Sequence, residues 1–173
     1  APFDLSWYEE PVPHIYHDEL RAVTRSALMP TAAAESVYGV EGFAPFLCER
    51  LVDIIMPDVK HDGGIADTLA IAQAARMQHL LVAPHNPSGP VATAATAQVA
   101  ATLSNLLMLE YAWGEVSWRA TLVEPAERIE QGYLCLPDGA GLGHHLNDAI
   151  VREHLAMRPR DDDTSKVVVA PHS

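Results

Sequence analysis

The chain is 173 residues long and carries 23 Asp and Glu against 11 Lys and Arg, a formal charge of −12. That balance excludes nucleic acid and anionic membrane surfaces as partners, because both select for basic side chains. Hydrophobic content of 49% and charged content of 20% are ordinary for one folded domain with a substantial core.

Along the chain, five short runs each lead into a residue able to hold a metal or move a proton. Ser6-Trp7-Tyr8 precedes Glu9, and residues 18–27 then predict a helix with Asp18 as N-cap and Leu20, Val23 and Leu28 on its inner side. Thr31-Ala32-Ala33-Ala34 precedes Glu35, and a helix over 41–52 places Phe43, Phe46, Leu47 and Leu51 on one side. Ile54-Ile55-Met56-Pro57 precedes Asp58, and after Gly63-Gly64 a helix over 65–78 carries Ile65, Leu69, Ala72 and Ala75. Leu80-Leu81-Val82-Ala83-Pro84 precedes His85, and a helix over 91–107 carries Val91, Ala95, Val99 and Leu103. Leu106-Leu107-Met108-Leu109 precedes Glu110. Residues 116–135 alternate loosely, 137–143 are turn-rich, 147–157 predict a short helix, and 158–166 read as a linker whose Asp161-Asp162-Asp163 run is a solvated segment.

The five strand-end residues recur at intervals of 26, 23, 27 and 25, the length of one strand, one helix and two loops. Parallel strands share one C-terminal face, where such folds keep their chemistry. The expected fold is therefore α/β, a partial TIM (β/α)8 barrel over residues 1–115 with a tail over 116–173, since a full barrel needs about 250 residues. The start at Ala1 raises the expectation of further sequence upstream. Cys48 and Cys135, far apart and without a CxxC pattern, read as two buried thiols in a reducing cytoplasm. No apolar stretch approaches the roughly 20 residues that cross a bilayer.

Glu9 and Glu35, on neighbouring strands about 4.8 Å apart, can share one hard cation such as Mg²⁺, with a third ligand from elsewhere. Asp58 and His85 form the next pair, in which a carboxylate orients an imidazole for proton transfer. Glu110 can stabilise an oxyanion if protonated, or pair with a basic neighbour. His61, in Lys60-His61-Asp62, reads as part of a solvated loop, and His144-His145 as part of a Gly-rich turn.

These segments resemble the enolase superfamily, in its mandelate racemase and acid-sugar dehydratase branch. The resemblance rests on Trp7-Tyr8-Glu9-Glu10-Pro11, Ala34-Glu35, Met56-Pro57-Asp58-Val59-Lys60 with Gly63-Gly64, Ala83-Pro84-His85-Asn86-Pro87-Ser88-Gly89-Pro90, Leu109-Glu110-Tyr111, and the closing run from Leu136-Pro137-Asp138-Gly139 to Gly141-Leu142-Gly143. It implies strands four to eight of the barrel, with Glu9 and Glu35 as Mg²⁺ ligands on the fourth and fifth strands. It implies Asp58 and His85 as the dyad of the sixth and seventh, and Glu110 near the substrate carboxylate on the eighth. It further implies abstraction of the proton α to a carboxylate and dehydration of a sugar acid, with racemisation of a 2-hydroxy acid as the alternative. Ala34 stands where the family commonly has Gly. The capping domain, the first three strands and a third metal ligand have no counterpart here, so the chain is expected to need them from a longer protein or a second chain. Bare strand edges also predict a homo-oligomer, or a non-catalytic scaffold covered by a partner.

Overall fold

The computed structural model describes residues 3–155. Met157, the linker over 158–166 and the acidic run at 161–163 lie outside the described residues.

Four short strands alternate with helices: β1 (Tyr8–Glu9), α1 (His17–Ser26), β2 (Thr31–Ala33), α2 (Gly39–Cys48), β3 (Ile54–Ile55), α3 (Ile65–Met77), β4 (Leu81–Val82) and α4 (Pro90–Ala100). The strands form one parallel sheet in the sequential order β1-β2-β3-β4. A parallel bridge from Val82 to Leu106 adds a fifth extended segment. Sequential order with parallel pairing places successive crossover helices on one face, and the core follows that rule. Ala33, Ile55 and Val82 pack with Leu20, Phe43, Phe46, Ile71 and Ala75 from α1 to α3. On the other face Ala32, Ile54, Met56 and Ala83 form a separate cluster against Trp7, with no helix residue in it. The period-two alternation of strand side chains thus divides two cores along β2 and β3.

The helices differ from the sequence reading in instructive ways. The residue before α1 is Tyr16, without a side-chain cap; Asp18 lies inside the first turn and pairs with Arg21. Leu28 follows the helix and is 88% exposed. In α3 the buried stripe is Thr68, Ile71, Ala72 and Ala75, rotated from the one expected, and Ile65 faces solvent. The expected helix over 91–107 ends at Ala100, because the chain must turn through Thr102–Asn105 to bring Leu106 beside Val82. Asn105 secures that turn by donating from Nδ2 to the carbonyls of Ala72 and Leu80 at 3.2 and 3.0 Å. Cys48 and Cys135 are both free, but neither is buried as expected: Cys48 is exposed at the end of α2 and Cys135 is half-buried.

Beyond Tyr111 the loosely alternating stretch is a helical turn, α5 (Arg119–Leu122), followed by β5 (Val123–Glu124), the hairpin strands β6 (Arg128–Glu130) and β7 (Tyr133–Cys135), and β8 (His145–Leu146), which pairs with β5. The short helix α6 (Asp148–Glu153) is capped by Asn147, whose side chain accepts from the amides of Ala149 and Ile150. Among the described residues, no helix is long and apolar enough to cross a membrane.

Asp62 organises the turn into α3. Its Oδ1 accepts from the Gly64 amide at 3.2 Å and the Thr68 hydroxyl at 3.0 Å, while Oδ2 is buried without a partner among the described residues. Burial, reinforced by Asp58 and Asp67, pushes its pKa up from 3.8 to about 6 against those two hydrogen bonds. The folded chain holds this proton more tightly than the unfolded chain. The associated stability is therefore complete below pH 3.8 and is lost as pH rises through about 6. Asp62→Asn keeps the acceptor oxygen and removes the ionisation. We expect its urea-unfolding stability to exceed the parent's above about pH 6.5, by up to ~3 kcal/mol, with the difference vanishing near pH 4. Parallel stability–pH curves for the two proteins would refute this account.

Candidate active site

The strand register decides which strand-end residues meet. β3 and β4 pair Ile54 with Leu81 and Ile55 with Val82. The His85 amide, donating to Pro57 O at 3.1 Å, carries that pairing past the strand ends. Continued in step, it sets Asp58 opposite His85. His85 Nδ1 lies 2.9 Å from Asp58 Oδ2, and the Asp58 side chain is only 1% exposed. A carboxylate so buried requires partners. The Lys60 amide donates to Oδ1 at 2.8 Å, and Lys60 Nζ stands 3.3 Å from Oδ2.

Glu35 arrives by a different route. Regular alternation from Ala32 on the inner face would put Ala34 inward and Glu35 toward the helices. Instead Ala34 adopts φ 92° and joins Ala33 in the helix-side core. The phase slips by one residue, and Glu35 Oε2 comes to 3.5 Å from His85 Nε2. Positive φ is unfavourable for any residue with a Cβ, and this one is held by a hydrogen bond from the Ala34 amide to Glu10 Oε1 at 2.8 Å. Burial raises the Glu35 pKa above its usual value; His85 opposes that shift, and the like charges of Glu10, Glu9 and Glu110 reinforce it.

Glu9 is exposed and accepts from the Trp7 indole at 2.9 Å. Glu110 lies one residue beyond the level of His85, opposite Asn86, whose amide donates to Glu110 Oε2 at 2.7 Å. The pairing of Glu110 with a basic neighbour is not what is observed: its partner is a backbone N–H, and among the described residues it forms no ion pair. Only Asp58 and His85 are level in the register, but all five strand-end residues lie at the same end of the parallel strands. Among the described residues, no three His, Cys, Asp or Glu side chains converge into a complete metal cage.

Several neighbours of the dyad escape the sequence reading. Lys60 is one. His61 is another: its Nδ1 lies 3.0 Å from the Glu35 carbonyl and 4.0 Å from Asp58 Oδ2, and the following Asp62 is fully buried, so this segment is not a solvated loop. Glu10 is a third. Each adjoins or nearly adjoins a strand-end acid, and Glu10 and Lys60 also fall within the quoted motifs, but neither signal gives the contact each makes.

A parallel α/β chain with a carboxylate–imidazole pair and clustered acids at its strand ends is the framework of an acid–base enzyme site. The chain matches the Enolase C-terminal domain-like family over residues 1–150, and it belongs to that family. It is 40% identical over 153 residues to a D-xylonate dehydratase of Haloferax volcanii, covering 88% of this chain and 37% of that protein. It is 33% identical over 154 residues to a D-gluconate/D-galactonate dehydratase of Picrophilus torridus, covering 87% and 39%. A crystal structure of a mandelate racemase/muconate lactonizing enzyme-like protein from Rubrobacter xylanophilus superimposes with a TM-score of 0.83 at 37% identity, covering 88% of this chain and 39% of that one. The chain thus spans about two-fifths of the length of these relatives.

The slip at Ala34 yields a direct test. Ala34→Gly should keep the fold and the Glu35–His85 contact. Ala34→Val, branched at a positive-φ and fully buried site, should cost about 3 kcal/mol in denaturant unfolding. Equal stability of the two variants would show that this backbone conformation is not required.

Proposed function

We propose that residues 1–115 supply the fourth to eighth strands of a (β/α)8 barrel and that the tail from residue 116, over its described residues, packs around it. The first three strands, a capping domain and a third metal ligand come, in this reading, from the rest of a longer protein or from another chain. The sequential parallel sheet and the two-fifths coverage of the relatives support it. The assembled protein is read as a Mg²⁺-dependent dehydratase of a sugar acid, cytoplasmic and self-associating.

One observation carries the chemistry: His85 Nδ1 is turned onto a buried carboxylate while Nε2 faces the cluster of acids. With Asp58 ionised, its oxygen accepts the Nδ1–H and fixes the tautomer that leaves the Nε2 lone pair free. That nitrogen takes the proton α to the substrate carboxylate and hands it to the departing β-hydroxyl, so that water leaves and the enzyme regains its starting state. The Lys60 amide holds the Asp58 oxygen that the ring does not use, its ammonium shares the other with the ring, and Glu110 is read as lying by the substrate carboxylate.

Glu9 and Glu35 are the groups that would hold the metal. Their oxygens suit a hard cation; burial is the main cause of the raised Glu35 pKa, and the like charges of Glu10, Glu9 and Glu110 that add to it are what a divalent ion would relieve. When bound, Mg²⁺ supplies positive charge where the substrate carboxylate gains negative charge as its α-proton leaves. Racemisation of a 2-hydroxy acid would use the same groups, but the dehydratase names of the D-xylonate and D-gluconate/D-galactonate relatives favour elimination.

The full-length protein should convert an aldonate or aldarate to its dehydrated 2-keto acid only when a divalent ion is present. His85→Asn should lower turnover at least about a hundredfold while leaving the melting temperature near the parent's. Full activity in that variant, or after chelation, would remove the proposed mechanism.

A further inference from the structure

The tail reaches into the loop that carries His85. Arg119 is buried and forms a two-pronged pair with Glu127, Nε to Oε2 and Nη2 to Oε1 both at 2.9 Å, with its guanidinium 4.5 Å from the Tyr111 ring centre. Its other donors reach the loop and the first turn of α4: Nη1 meets the Ser88 carbonyl at 2.5 Å and Nη2 the Thr93 hydroxyl at 3.0 Å. That hydroxyl in turn accepts from Asn86 Nδ2 at 2.9 Å. Asn86 also donates from Nδ2 to the Glu110 carbonyl at 3.0 Å and from its amide to the Glu110 carboxylate at 2.7 Å. A continuous line of direct hydrogen bonds therefore runs from the tail to Glu110 and to the residue that follows His85.

The loop needs such a restraint. Asn86 Oδ1 and Ser88 Oγ are buried without partners among the described residues, a cost that favours any conformation returning them to water. A planar guanidinium locked by a carboxylate and an aromatic face is a rigid anchor, whereas a flexible amine is not. We propose that Arg119 is a positioning residue that acts through Thr93 and Asn86 to hold the His85–Pro90 loop and the Glu110 carboxylate in their working geometry. This rests on the reading of His85 and Glu110 given above.

Arg119→Met would leave the Glu127 carboxylate in the interior without its counter-charge, held by the Tyr111 hydroxyl, and risks unfolding, so Thr93 provides the sharper test. In the full-length protein, Thr93→Val removes the relaying hydroxyl at nearly constant volume, and Thr93→Ser keeps it. Hydrogen–deuterium exchange of the 84–90 segment should accelerate about tenfold in Thr93→Val and return to the parent rate in Thr93→Ser, while α3 is unchanged in both. On the proposed sugar-acid substrate, kcat should fall about tenfold in Thr93→Val with KM moving less than about threefold, and Thr93→Ser should restore it. Parent-rate exchange in Thr93→Val, or failure of Thr93→Ser to restore it, would overturn the proposal. If the parent turns over no sugar acid, the dehydratase reading fails, and the exchange measurement still decides whether the tail holds the loop.

Discussion

The Asp58 carboxylate, closed off from solvent at the end of β3, is the constraint around which the rest is arranged. A buried charge is tolerated only with close, oriented partners, and the chain supplies them from two directions. The backbone turns back at once, so that the Lys60 amide meets one oxygen. The neighbouring strand presents His85 to the other. The second contact depends on the β3–β4 register; a slip of one residue would turn His85 to the opposite face and leave the charge with its local partners alone. The same turn sets up Asp62 and the start of α3, so the site and the packing of a major helix share one loop.

The side chains at the mouth are aimed by two different devices. Asp58 and His85 follow from strict alternation: Met56 and Ala83 face inward, and the residues two positions on do the same. Glu35 depends on a break in that alternation, held by a hydrogen bond from the end of the first strand to the Ala34 amide. Glu10, beside the carboxylate read as a metal ligand, therefore serves a separate purpose, keeping its neighbour on β2 in an unfavourable backbone conformation. Charge at the mouth and backbone shape beneath it are coupled through adjacent glutamates.

Much of this is legible in the sequence because the information is local. Apolar runs punctuated by Glu9, Glu35, Asp58, His85 and Glu110 mark the strand ends, and the Phe43–Phe46–Leu47 stripe marks the inner side of α2. What cannot be read depends on contacts across the fold. Sequence periodicity overextends α4 because its Ala and Val pattern runs smoothly into Leu103 and Leu106, and only the bridge to Val82 shows where helix must stop. The same periodicity misplaces the stripe on α3 because Thr68 and Ile71, rather than Ile65 and Leu69, share the inner face with Ala72 and Ala75. His61 looks like part of a solvated loop, and the Lys60 amide carries no signal of its own, until the chain folds back over Asp58. The Arg119 network joins positions 31 and 26 residues apart through a carbonyl and a hydroxyl, groups that carry no sequence pattern at all.

The exposed thiol at Cys48 has a practical consequence. Each helix between parallel strands must run back against the strand direction, so α2 finishes at the end of the sheet remote from Glu35, Asp58 and His85. Cys135, the other cysteine, is partly shielded within the tail hairpin. A maleimide dye or a solid support attached through Cys48 would hold the molecule by its back, leaving the opposite opening free to solvent and to small solutes.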